Sequence, residues 1–128
     1  MKISVIQLQS QTDKNKNLQD ALSVAEDAIN QSSPDLITFP EMFLFNGGTT
    51  EAKKNSAENI PDGDSTKMLS RFAKQHNVFI HGGSIYERSG DKVSNTTVII
   101  DCNGNFIKKY QKIHLFDVTT PNGDSYRE

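Results

Sequence analysis

Residues Asp35–Phe45 read DLITFPEMFLF. Leu36–Phe39 have the β-branched and aromatic character of a short buried strand. Pro40 ends it, because proline has no N–H to donate to a ladder. Glu41 then stands between that proline and the apolar run Met42–Phe45. A carboxylate in such company costs several kcal/mol if it is buried, charged and unpaired. Two readings follow: Glu41 caps a loop at the strand end, or it belongs to a buried pair of charges.

Upstream, KISVIQLQ (Lys2–Gln9) carries apolar residues on both faces and is expected as a central strand. From Asn17 onward, Leu18, Ala21, Leu22, Ala25, Ala28 and Ile29 recur at helical spacing, with Lys14, Lys16, Asp20, Glu26 and Asp27 opposite. This predicts an amphipathic helix lying on the sheet, closed where Pro34 pushes Ser33 out of the helical region. Strand, helix, strand over so few residues implies a right-handed crossover. Glu41 then lies at the C-terminal edge of the second strand, where open sheets place ligands.

Downstream, residues 46–64 form a long polar loop with room for one helical turn, and long loops in compact domains are often functional. Asp64 is expected to cap the next helix, whose stripe is Met68, Leu69, Phe72 and Ala73 and whose left-handed stop is Asn77. Val78–Glu87 is expected as a third strand, with Gly82 and Gly83 marking a bulge or a close backbone approach. Asn103-Gly104 between NTTVIID and FIKKYQK signals a hairpin. The element order indicates an α/β layered domain with one mixed sheet.

Composition narrows the function. The chain has 128 residues and a net charge of −2, with a mean hydropathy of −0.58. It is long enough for one domain with a core, yet its apolar share is low, so either much of the surface is solvated or the domain relies on a partner surface. Only KKYQK (Lys108–Lys112) clusters basic residues, so nucleic-acid binding is not indicated. The N-terminal apolar run is too short for a signal h-region or a membrane span. The single cysteine, Cys102, cannot form an internal disulfide, and the reading is a cytoplasmic protein. Asn30 and Asn95 begin triplets of the glycosylation type, which mean nothing in such a compartment. His76, His81 and His114 are spaced too irregularly for a metal site, and the paired glycines lack dinucleotide-binding spacing.

Lys112 resembles Glu41 in context, ending a hairpin strand and preceding IHLF. It either snorkels from the strand end or forms the other half of a buried pair, each charge offsetting the desolvation of the other.

Taken in order, FPEMF after a short strand, HGGSIYE on the next and KKYQKIHLFD after an NG hairpin resemble the carbon-nitrogen hydrolase (nitrilase) superfamily, most nearly its Nit-like omega-amidase branch. The resemblance implies the N-terminal portion of a four-layer αββα sandwich, with residues 1–128 as a single, C-terminally truncated domain. It implies a Glu-Lys-Cys mechanism on a small amide, such as an omega-amide of a dicarboxylate or 2-oxo acid, without metal or cofactor, and a homo-oligomer in the full-length family form. By motif, Glu41 matches the general base, Lys112 the lysine and Glu128, in SYRE, a second glutamate. His114 matches a position that looks structural, holding the segment that carries Lys112. The family's cysteine comes beyond that second glutamate, so this chain is expected to lack the nucleophile and to be inactive alone. Cys102, in a hairpin turn, matches no catalytic position and reads as a tolerated small residue. Rival readings are another branch of the superfamily, acting on nitriles or N-carbamoyl compounds or as a glutaminase domain, and a non-catalytic chain that associates with a partner.

Overall fold

A computed structural model describes residues 1–123 and 125–127, and the side chains of all of these except residues 126 and 127. In chain order the elements are β1 (Ile3–Val5), α1 (Lys14–Ser32), β2 (Leu36–Thr38), α2 (Thr50–Ser56), α3 (Asp64–His76), β3 (Phe79–His81), β4 (Ile85–Ser89), β5 (Lys92–Ile100), β6 (Phe106–Gln111), β7 (Asp117–Thr119) and β8 (Ser125–Arg127). The sheet is mixed: β1, β2 and β3 run parallel, β3 and β4 follow one another along one edge of β5, and β6 pairs with its other edge. β7 and β8 form a separate hairpin.

The helices cover one face. Ile37, Ile80 and Ile100 align across β2, β3 and β5 and join Leu18, Ala21 and Ala25 of α1 and Leu69, Phe72 and Ala73 of α3 in one apolar core. α1 begins where Asp13 accepts a bond from the Lys16 N–H and ends at Ser33, whose φ of 45° is left-handed. The stripe and the stop were both legible in the sequence. α3 ends at Asn77, with φ 52°, as expected.

Its start differs from expectation. Gly63 is the cap residue and Asp64 makes no capping bond; instead the Glu58 carboxylate accepts from the Ser65 N–H and hydroxyl. A longer side chain reaching from the preceding loop satisfies those helix donors. The loop also holds more helix than the single turn foreseen, since Thr49 caps the whole of α2.

β1 is not central: among the described residues it pairs only with β2. Apolar residues on both sides of a strand report which faces are apolar, not how many strands flank it. Ser4 points to α1, bonding Ser32, while Ile3 and Val5 point away and are exposed. Ile3, Leu36 and Phe79 align in register on the sheet face opposite the helices, and Phe79 too is exposed.

The expected third strand is broken into β3 and β4. His81 faces Ile99, but Ile85 faces Thr96, so the chain holds one extra residue across Gly82–Ser84. This is a β-bulge, and it bends the strand towards the end of β2. Gly83 has φ +48°, and a Cβ there would come within 2.0 Å of the Pro40 carbonyl oxygen. Only glycine accepts that conformation and that approach without strain.

Candidate active site

The bulge builds the site. Ser84 donates its N–H to the Pro40 carbonyl (3.2 Å), and its Oγ accepts from the Met42 N–H (3.0 Å). Ser84 therefore brackets the turn that carries Glu41. Met42 has φ 52°, which reverses the chain there. Phe43, Leu44 and Phe45 then run into the core, where Phe43 stacks on Phe39 at 4.8 Å. The apolar run is thus buried beneath the turn while Glu41 faces outward.

That outward placement corrects the buried-pair reading. The Glu41 side chain is 61% exposed and that of Lys112 31%. They are nonetheless paired: Lys112 Nζ lies 3.3 Å from Glu41 Oε1. Asn95 joins them, its Nδ2–H donating to the same Oε1 over 2.8 Å and its backbone carbonyl accepting from the Lys112 N–H over 2.8 Å. Asn95 is buried. The sequence reading attaches to it only a chance glycosylation triplet; the available signal was a poor β-former in the middle of the strand VSNTTVII.

Alternation along β6 places Lys112. Lys109 and Gln111 both bond the buried Glu87, Gln111 over 2.8 Å, and Thr96 adds a third bond at 2.9 Å. The next residue, Lys112, leaves the strand towards Glu41. Burial alone raises the Glu87 carboxyl pKa, but the bonds from Lys109, Gln111 and Thr96, with the charge of Lys109, outweigh it and hold the carboxyl below its ordinary value.

Two recesses meet at this pair. One, of about 250 Å³, runs along the uncovered sheet face past Phe39, His81, Ser84 and Tyr110. The other, of about 440 Å³, is lined by Glu41, Met42, Asn46, Lys53, Tyr86, Lys112 and Phe116. His81 bonds the Thr38 hydroxyl through Nδ1 and that of Thr97 through Nε2, and His76 packs on Phe72. His114 is exposed. Among the described residues no cluster of His, Cys, Asp or Glu could hold a metal ion, and no helix is long and apolar enough to cross a membrane.

Cys102 lies in the turn after β5 and is partly exposed. It stands seven residues along the chain from Asn95, on the order of 20 Å of extended backbone. Glu128 lies outside the described residues.

Known proteins share this arrangement of elements. The family model of carbon-nitrogen hydrolases matches residues 2–128. The chain belongs to the carbon-nitrogen hydrolase family. It is 36% identical to the omega-amidase NIT2 of Mus musculus over 127 residues, covering 99% of this chain and 45% of that protein. The Caenorhabditis elegans NitFhit protein superposes with a TM-score of 0.85 at 28% identity, over 98% of this chain and 31% of that one. Saccharomyces cerevisiae Nit3, a member of branch 10 of the nitrilase superfamily, superposes with a TM-score of 0.80 at 29% identity, over 90% of this chain and 45% of that one. These comparisons bear out the resemblance to the Nit-like branch and the mixed α/β fold. This carbon-nitrogen hydrolase chain spans less than half the length of each of these relatives.

Proposed function

We propose that these residues form the base-and-lysine part of an amidase that hydrolyses small amides through a thiol. The observation that carries the reading is the apposition of Glu41 and Lys112 at the mouth of two recesses. A thiol of ordinary pKa is largely protonated at neutral pH, and a carboxylate that accepts its proton makes it a nucleophile. Glu41 takes that proton. The thiolate forms a C–S bond to the amide carbon, and the Lys112 ammonium stabilises the oxyanion. The C–N bond breaks as Glu41 returns the proton to the departing ammonia. Glu41 then takes a proton from water, which cleaves the thioester to the acid, and the proton goes back to the thiol.

The thiol is assigned to a residue outside these 128, because the distance along β5 sets Cys102 apart from the pair. Glu128 keeps its motif assignment as the second carboxylate. For substrate, the reading favours the omega-amide of a dicarboxylate or 2-oxo acid. The name of the mouse relative supports it, and Lys53 and Lys112, which both line the recess, suit a substrate with a second, anionic end. The test is ammonia release from such an amide by the thiol-bearing protein, with and without the Glu41 carboxylate. The 128-residue chain alone is expected to be silent.

A second reading has its own observation. The exposed Ile3, Val5 and Phe79 favour a chain that associates through its uncovered sheet face, whether or not it catalyses.

A further inference from the structure

We propose that Asn95 is a positioning residue, fixing Glu41 and Lys112 relative to one another so that one defined oxygen of the carboxylate meets the thiol. This rests on the reading of Glu41 as the base.

Glu41 needs such a device. It sits on a turn, its side chain is mostly exposed, and packing does not select its rotamer. Asn95 is 7% exposed and lies in β5, flanked by β4 opposite Tyr86 and followed at once by the start of the β6 pairing at Thr96. It is the rigid member of the trio. Its amide N–H and the Lys112 ammonium converge on Glu41 Oε1, at 2.8 and 3.3 Å. Two donors thus fall on Oε1, which leaves the thiol proton to Oε2.

The same residue sets the lysine. The Lys112 N–H ends on the Asn95 carbonyl at 2.8 Å, so the base and the oxyanion partner are measured from one residue. Buried side-chain amides more often satisfy themselves on backbone or water. Asn95 spends a donor on a solvent-facing carboxylate, which an apolar residue on a buried strand would not do.

Asn95→Leu keeps the bulk and removes the donor. Asn95→Asp keeps the shape and sets a second carboxylate against Glu41. In the thiol-bearing protein each should lower kcat on the order of 100-fold, as a misplaced reacting group does, with KM little changed. In the same thiol-bearing protein, the Asn95 side-chain 15N–1H resonances should move on Glu41→Ala. That measurement leaves Asn95 in place and so decides even if both Asn95 variants misfold. Folded Asn95 variants with normal kcat, beside a Glu41→Gln variant that is inactive, would overturn the positioning role and leave the amidase reading standing. A loss that falls in KM rather than kcat, or resonances indifferent to Glu41→Ala, would also overturn it. An active Glu41→Gln variant would instead overturn the amidase reading.

Discussion

Lys112 Nζ stands 3.3 Å from Glu41 Oε1 across 71 positions of sequence. Neither charge is buried, so the pair contributes little to stability through Coulomb attraction. What holds it is the backbone on either side: the Ser84 bracket on the turn of Glu41, and the end of β6 behind Lys112, tied inward by Gln111 and Lys109.

Gly83→Ala tests the bracket. The new Cβ would meet the Pro40 oxygen at 2.0 Å and the Phe39 oxygen at 2.7 Å, at a φ of +48°. Denaturant unfolding should show a loss of about 3 kcal/mol or more. Gly90→Ala, also at positive φ but with nothing within 4 Å, should cost less. Equal effects would mean that the close approach to Pro40 is not the constraint.

Acid should weaken the Glu87 cluster in a defined direction. The Glu87 carboxyl is held below its ordinary value of 4.5, so its contribution is complete above that value and is lost as pH falls through the lower folded one. Glu87→Gln should therefore melt lower than the parent at neutral pH. The difference should shrink as pH falls below 4.5. A difference constant with pH would show that the ionised form is not what the bonds from Lys109 and Gln111 stabilise.

The uncovered face should make the chain self-associate. Its accessible surface is 7941 Å², against about 6,800 Å² from the scaling for a compact monomer of this mass, and Ile3, Val5 and Phe79 lie within that surface. Sedimentation at low micromolar concentration should show oligomers, or else an apolar dye should bind. A monomer with a sharp, concentration-independent melt and no dye binding would contradict this, and with it the idea that the sheet face needs a cover.

Much of this was legible in the sequence where one residue type has one physical use. Pro34 and Asn77 stop helices, the Asn103-Gly104 pair makes a hairpin, and the glycines at 82 and 83 mark the bulge. The proline-glutamate and lysine motifs pair Glu41 with Lys112 in the sequence itself. Illegible were the features fixed by distant contacts. Glu58 reaches the α3 terminus from a neighbouring loop, β1 sits at an edge among the described residues although apolar on both sides, and Glu41 is turned outward by the left-handed Met42. Asn95 was hidden because its meaning lies in its partners, 54 residues away in one direction and just past the end of β6 in the other.

The central claim is that Glu41 and Lys112 are the base and the oxyanion partner of an amidase. Steady-state ammonia release from a dicarboxylate monoamide, by the thiol-bearing protein and its Glu41→Gln and Lys112→Met variants, tests it most directly. Glutamine keeps the shape of Glu41 but accepts no proton, and methionine keeps much of the stem of Lys112 without the charge. Each should lose at least about a hundredfold in turnover while remaining folded. Near-normal release by either folded variant would contradict the role assigned to that residue.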